Sequence, residues 1–431
     1  MDTSKKKVVI VGAGFAGLRL AKKLSPKFFQ VILLDKNNYH QFQPLLYQVS
    51  TCGLEPSSIS FPLRKIFQKY SNVSIRVAEV TAVDKDNQTV ETTIGSISYD
   101  YLILAYGATT NFFNNEQVES NSFSMKSVSE ALLLRNTLLM NYEKALNETD
   151  KEKRSALLNV VIVGGGPTGV ELAGAVAEMK LKILPKDYPE IDFQEMNIYL
   201  IEAGPKLLGG MSSKSGGTVF EYLEELGVNV WLNTAVKDYD GEHAHLSNDQ
   251  TLTSNCLIWA AGVKGSRLQG LPQEVYAPNE RILVDTFNRV KGMGNIFAIG
   301  DIALMSSEKF PKGHPQVAPA AIQQAELLAD NLIRIQSNKL LKAFHYVDKG
   351  SMATVGRNKA TAEIKKMKFS GFIAWFIWMA VHLMSIVGVK NRLFIFVNWV
   401  WQYFTYDPSL RLIIKSSEKK MNNDHQTDQN T

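Results

Sequence analysis

Two near-identical stretches, VIVGAGFAGLRLA at 9–21 and VIVGGGPTGVELA at 161–173, constrain this chain more tightly than anything else in it. In each, a run of β-branched residues enters a Gly-x-Gly-x-x-Gly turn and leaves with helical periodicity, which is how a βαβ unit opens. The glycines are Gly12, Gly14 and Gly17 in the first copy and Gly164, Gly166 and Gly169 in the second. The first glycine of such a turn permits the tight bend, the second lets a pyrophosphate reach the backbone, and the third lets helix and strand pack closely. Free amide groups at the helix start then hold the phosphates.

A single glycine turn is weak evidence, since a close-packed strand–helix corner needs the same residues. Each copy here carries a second mark. The strand in FQVILLDKNN ends at Asp35 and the one in MNIYLIEAG ends at Glu202, where a carboxylate accepts hydrogen bonds from ribose hydroxyls. Asp35 stands 23 residues after Gly12, the ordinary interval, whereas the 38 residues from Gly164 to Glu202 require an insertion, for which LKILPKDYPEID is the candidate. The sequence therefore predicts two dinucleotide sites in an α/β chain. Two dinucleotides in one chain imply electrons passing between them.

At 431 residues the chain has room for two or three domains with real cores. The net charge of +5 is modest, and with no basic stripe carrying interleaved aromatics a nucleic-acid partner is not expected. Cys52 and Cys256 are far apart and form no C-x-x-C pair, so they read as buried small residues in a reducing compartment. His243 and His245 lack a third ligand and read as exposed loop residues, and no metal is expected. The N-terminal lysines followed by an apolar run imitate a signal peptide, but that run is the first strand and glycine turn, so cleavage would destroy the site. The folded domains are accordingly expected in the cytoplasm.

Between the two glycine turns, residues 127–148 have helical periodicity with Ser127 or Ser129 as cap, and TDKEKRSA links them to the second turn. The second unit closes at NCLIWAAGVKG, an echo of LILAYGA in the first. Strand-like alternation returns up to Gly300 and Asp301, and HPQVAPAAIQQAELLADNLIRI reads as a long helix.

In order and spacing, the segments NNYHQFQPLLYQVSTCGLEPSSISFPLRKIF, GGGPTGVELAG, NIFAIGDIA, SMATVGRNKATAEI and the aromatic C-terminal stretch resemble the type II NADH:quinone oxidoreductases, within the two-dinucleotide-binding-domain flavoproteins. The resemblance implies two Rossmann-like domains, the FAD domain interrupted by the NADH domain, plus a C-terminal helical segment that anchors to a membrane. The implied boundaries are 1–112 and 271–345 for the two parts of the FAD domain, 113–270 for the NADH domain, 346–413 for the membrane-associating region and 414–431 for a disordered tail. It also implies noncovalent FAD, NADH as substrate, a membrane quinone as acceptor, and no ion pumping.

Carried over by position, the FAD pyrophosphate and ribose fall to Gly12, Ala13, Gly14, Phe15, Ala16, Gly17, Asp35 and Lys36, and the adenine end to Val80. Gly107, Gly300 and Asp301 complete the FAD set, Asp301 facing the ribityl or pyrophosphate region, with an N-cap role as its alternative. NADH falls to Gly164, Gly166, Thr168, Gly169, Glu202 and Gly262. Glu171 takes the position of a catalytic carboxylate near nicotinamide and quinone; the alternative is a first-turn glutamate favoured by the helix dipole. On the quinone side stand Ile322, Gln323 and Gln324, but Pro319 occupies the place of the family's first glutamine and cannot hydrogen-bond a carbonyl.

The stretch FSGFIAWFIWMAVHLMSIVGVKNRLFIFVNWVWQYF at 369–404 contains 19 residues, 371–389, without a formal charge, about the length that spans a bilayer. Lys365, Lys366 and Lys368 flank one end and Lys390 and Arg392 the other, which disfavours crossing. With Trp375, Trp378, Trp399 and Trp401 taken as interfacial, two helices lying in the surface of the bilayer are expected, on the cytoplasmic face. A homodimer contact through the same apolar surface is the alternative. Removal of everything after Phe369 is expected to release a soluble flavoprotein.

Two rival activities remain at this stage. A disulfide reductase or sulfide:quinone oxidoreductase needs cysteines close to the flavin, a pattern that Cys52 and Cys256 do not fit. An NADH sensor without turnover would be reduced once and stop.

Overall fold

The computed structural model describes residues 5–405 and 410–413. Its centre is a pair of parallel sheets, each built around one of the two glycine turns. The strands that enter the turns, Lys6–Val11 and Val160–Val163, have Val8, Val9, Ile10, Val161 and Ile162 fully buried, because helices cover both faces of a parallel sheet.

The first sheet runs Val73–Val77, Phe29–Asp35, Lys6–Val11, Tyr101–Leu104, Ile296–Ala298, all parallel. The second runs Val228–Trp231, Ile198–Ile201, Val160–Val163, Leu257–Trp259, again all parallel. In both, the strand entering the glycine turn sits where the order reverses, the place in an open α/β sheet where a crevice forms. Strand Ile296–Ala298 joins the first sheet only after the second sheet is complete. The two crossings between the sheets pair with each other, Thr109–Thr110 antiparallel to Val263–Lys264.

Local rules explain the pieces in between. The helix expected at 127–148 runs Val128–Ala145, and Ser127 is its cap: its hydroxyl accepts from the Glu130 amide while the Glu130 carboxylate accepts from the Ser127 amide. The long interval before Glu202 is taken up by a 16-residue helix, Pro167–Lys182, where the first copy has 9 residues, Phe15–Lys23, and by a short helix, Leu184–Asp187. The long helix after Asp301 is Ala318–Gln336, and Pro319 sits in its first turn, where no amide is missed.

Beyond it, the strands Ser351–Thr354, Ala360–Ile364 and Met367–Ser370 form an antiparallel sheet. Helices Gly371–Ser385 and Val389–Thr405 follow. No helix among the described residues is long and apolar enough to cross a membrane. The 19-residue uncharged run is broken after Ser385, where the chain turns at Gly388 with φ +87°. Phe372, Ile373, Phe376, Val381 and Met384 on one helix, and Leu393, Phe394, Phe396, Val397 and Phe404 on the other, are exposed.

The tryptophans correct the sequence reading. Only Trp401 faces outward, 61% exposed, while Trp378 is 2% exposed. Trp399 donates its indole N–H to Gln48, and Trp375 packs against Tyr403 with ring centroids 5.5 Å apart. An enclosed indole N–H needs an acceptor, and for Trp378 and Trp399 that acceptor belongs to the protein. The segment is therefore no detachable anchor: Ala374, Trp378, Ile386 and Ile395 are buried, and cutting after Phe369 would uncover their partners. The tail expected at 414–431 lies outside the described residues.

Candidate active site

The two glycine turns are built alike atom by atom. Gly12 and Gly164 have φ of +100° and +112°, and a Cβ on either would collide with a carbonyl oxygen, that of Ala105 or of Ala260. A Cβ on Gly17 would overlap the carbonyl oxygen of Gly12, and one on Gly169 that of Gly164. These four glycines are dictated by packing. Gly14 and Gly166 differ: a Cβ on either meets nothing within 4 Å, and each caps its helix with no side-chain hydrogen bond. Each turn thus presents an open cradle floored by uncapped helix amides, which suits a pyrophosphate.

A carboxylate locks each cradle. Asp35 Oδ2 accepts from the Ala13 amide at 2.7 Å and Oδ1 from the Asn37 amide at 2.7 Å. Glu202 accepts from Gly165 and Gly204, both at 2.6 Å. Ionised carboxylates have acceptor capacity to spare for ribose hydroxyls. Burial raises the pKa of Asp35, against the pull of its two amide donors and of Lys36. Val80 opens the strand Val80–Asp84 beyond Ala78, whose amide donates to the Asp35 carbonyl. His40, which the sequence reading passed over, sits beneath the first turn: its Nδ1 lies 2.8 Å from the Ala13 carbonyl oxygen and its ring meets Phe15 edge-on. Burial pushes its pKa down to about 4, so it is neutral. The signal was its place in NNYHQF, directly after the Asp35 strand.

Gly300 and Asp301 stand at the end of strand Ile296–Ala298, and Gly300, at φ +75°, faces Ala16 and Ala321. The start of Ala318–Gln336 therefore converges on the first turn. Burial raises the Asp301 pKa, opposed by Lys126 and Arg281. A carboxylate so placed, beside the first cradle, fits the hydroxyl-rich chain of a flavin cofactor. Gly107 and Gly262 sit at the two crossings between the sheets, at φ +80° and +141°; Lys36 and Thr168 are exposed. The glutamines are engaged within the protein: Gln324 Oε1 accepts from the Gly300 amide at 2.7 Å, and the Gln323 amide bonds both the N–H and the C=O of Val347 at 3.0 Å. Ile322 is half-buried beside them.

Glu171 lies in the first turns of Pro167–Lys182, immediately beyond the second cradle, and is only 8% exposed. Trp378 Nε1 donates to its Oε1 at 3.1 Å. Burial pushes its pKa up to about 8, partly offset by Trp378 and by the Thr354 backbone. A carboxyl group so tuned holds a proton at neutral pH and can release it. Around it, Tyr47 stands edge-on to Trp378, and His382 stacks on Trp378 with centroids 4.1 Å apart. Sequence reading found Glu171 and missed this aromatic enclosure, since nothing local in the chain relates Tyr47 to Trp378.

Cys52 and Cys256 are both buried and unpaired, with thiols pushed up by burial to about 11 and about 12. Such thiols are unreactive. His243 and His245 lie on the strand His243–Leu246 rather than in a loop, bonded to Asp240 and Thr251. Among the described residues no three potential ligands are grouped to hold a metal.

Comparison with known proteins agrees with this geometry. Residues 6–325 match the family model for pyridine nucleotide-disulphide oxidoreductases, and residues 349–405 match that for the NDH2 C-terminal domain. A type II NADH:quinone oxidoreductase of Mycobacterium tuberculosis is 35% identical over 92% of this chain and 87% of its own length. A Staphylococcus aureus protein of the same name is 30% identical over 88% and 94%. A solved structure of NDH2 from Plasmodium falciparum in complex with NADH superposes with a TM-score of 0.88 at 24% identity, covering 95% of this chain and 100% of that one.

Proposed function

The chain belongs to the pyridine nucleotide-disulphide oxidoreductase family and, within it, to the type II NADH:quinone oxidoreductases, and from that premise we propose how its residues divide the reaction. It is an FAD-dependent enzyme that oxidises NADH and reduces a quinone without pumping ions. FAD, when bound, supplies the acceptor for the electron pair of the NADH hydride and the donor to the quinone.

The first cradle, residues 12–17 with Asp35, Val80, Gly107 and Gly300–Asp301, holds FAD. The second, Gly164, Gly166, Thr168 and Gly169 with Glu202 and Gly262, holds NADH. The FAD domain comprises 1–112 and 271–345 and the NADH domain 113–270, a division supported by the paired crossings at Thr109–Thr110 and Val263–Lys264. Glu171 gives a proton to the quinone. Gln323 and Gln324, with Ile322, shape the wall from which the quinone is approached, through the backbone of Val347 and Gly300 that they fix.

The exposed apolar faces of Gly371–Ser385 and Val389–Thr405 lie in a membrane surface, with Lys365, Lys366, Lys368, Lys390 and Arg392 toward the headgroups. NADH supply and these cations favour the cytoplasmic face. The observation that carries the whole reading is the enclosure of Glu171, on the helix leaving the NADH cradle, by a tryptophan from a helix that presents this apolar face. Anaerobic reduction of the FAD-loaded protein by NADH followed by addition of a quinone tests it: repeated turnover supports the reading, and a single reduction without reoxidation refutes it.

A further inference from the structure

Reducing a quinone with NADH consumes a proton from water: the hydride carries both electrons and one proton, and the quinol needs a second. With Glu171 only 8% exposed, that proton has to cross protein to reach it.

Seven residues further along the same helix stands Glu178. At 3.6 residues per turn the two carboxylates share one face, about 10 Å apart along the axis. A cavity of about 150 Å³ is lined by Glu178, Tyr47, Gln48, Thr354, Arg357 and Trp378. Thr354 and Trp378 are the two groups that hold Glu171, so one wall of the cavity is common to both carboxylates. Tyr47 feels the charge of both as well. Its hydroxyl accepts from Gln48 Nε2 at 2.9 Å, and among the described residues no protein group accepts its own proton. The cavity lining is mixed, with Met179, Ile183 and Met379 beside these polar groups, and several polar partners in a cavity of this size can hold water. Glu178 is half-buried, its Oε1 accepts the Arg357 amide at 2.6 Å, and its side chain lines the cavity.

We propose that Glu178 is the entry residue of a proton relay that recharges Glu171 through water in this cavity, with the Tyr47 hydroxyl between them. The proposal rests on the reading of Glu171 as the proton donor. Glu171 loses its carboxyl proton to the quinone oxygen and becomes a carboxylate. It takes a proton from the cavity water, Tyr47 passes one and receives one, Glu178 gives up its own, and bulk water reprotonates Glu178. Burial raises the pKa of both carboxyls, but Arg357 and Lys359 from the C-terminal sheet and Lys182 from its own helix oppose the rise at Glu178. No cation opposes it at Glu171.

The test is Glu178→Gln in the full FAD-loaded chain, because glutamine still accepts the Arg357 amide. Stopped-flow reduction by NADH should keep its wild-type rate, and reoxidation by ubiquinone-1 should slow about tenfold or more. Millimolar formate or imidazole should restore it, and Glu178→Asp should be intermediate. Wild-type reoxidation, or slow reoxidation that small acids leave unrescued, overturns the relay. Glu171→Gln run in parallel separates the two ideas. If it is slow while Glu178→Gln is normal, only the relay fails; if both are normal, the reading of Glu171 fails and the relay with it.

Discussion

The indole of Trp378 donates a hydrogen bond of 3.1 Å to Glu171 across 207 residues of sequence. It is a direct tie between the helix that leaves the second glycine cradle and a helix with an exposed apolar face. The bond favours the ionised carboxylate and so restrains the rise that burial imposes.

Trp378→Phe keeps the aromatic packing and removes the donor. Glu171 can give a proton only while it holds one, which is below about pH 8 and is lost as pH rises through that value. Without the indole its pKa climbs further. The alkaline limb of the pH profile for quinone reduction should therefore move to higher pH, with NADH reduction of the flavin unaffected. A limb that stays put, or moves to lower pH, counts against the bond as a control on Glu171.

The two open cradles can be filled separately. Gly14→Val should give a folded protein that binds no FAD, since its side chain enters space that the protein leaves empty. Gly166→Val should keep the yellow flavin yet resist reduction by NADH, with dithionite reduction intact. Gly17→Ala, by contrast, should fail to fold, because its Cβ overlaps the Gly12 carbonyl. Flavin content and circular dichroism distinguish all three, and a Gly166→Val protein reduced normally by NADH would remove the second cradle from the NADH site.

Glu202, pinned by two amides at 2.6 Å, is proposed to take the ribose 2′-hydroxyl of NADH. A 2′-phosphate there faces a like charge, at a cost on the order of several kcal/mol. Catalytic efficiency should favour NADH over NADPH by about 100-fold or more, and Glu202→Gln should narrow the gap. Equal efficiencies in the wild type would displace Glu202 from this role.

The outward phenylalanines should govern membrane binding without touching the fold. Each contributes roughly 1.5–3 kcal/mol when its side chain is buried in lipid. Phe376→Glu with Phe394→Glu should abolish co-sedimentation with anionic vesicles while leaving the melting temperature and the reduction of a soluble acceptor near wild type. Retained sedimentation with a changed oligomeric state would instead mark the face as a contact between copies of the chain.

How far these features could be read in advance follows their range in sequence. Gly12, Gly14, Gly17 and Asp35 lie within one βαβ unit, and the turn pattern is local, Gly17 packing on Gly12 as Gly169 does on Gly164, although Gly12 and Gly164 also back onto the distant Ala105 and Ala260. Glu202 was legible despite its insertion because a strand end is a local signal. Trp378 was misjudged because interfacial and buried tryptophans have the same local sequence, and only the fold brings Glu171 within reach of its N–H. Gln323 and Gln324 show the same limit: the sequence placed them on the long helix after Asp301, while their partners, Val347 and Gly300, come from other segments.

Glu171→Gln tests the central claim most directly, because the change is isosteric, keeps an acceptor for Trp378 and leaves both cradles intact. Stopped-flow spectroscopy follows flavin reduction by NADH and reoxidation by quinone separately across pH. The expected result is normal reduction, with reoxidation slowed about 100-fold, the lower end of the range for general acid–base catalysis, and the inflection near pH 8 gone. Both half-reactions at wild-type rates with unchanged pH profiles would show that Glu171 is a helix residue and not the proton donor.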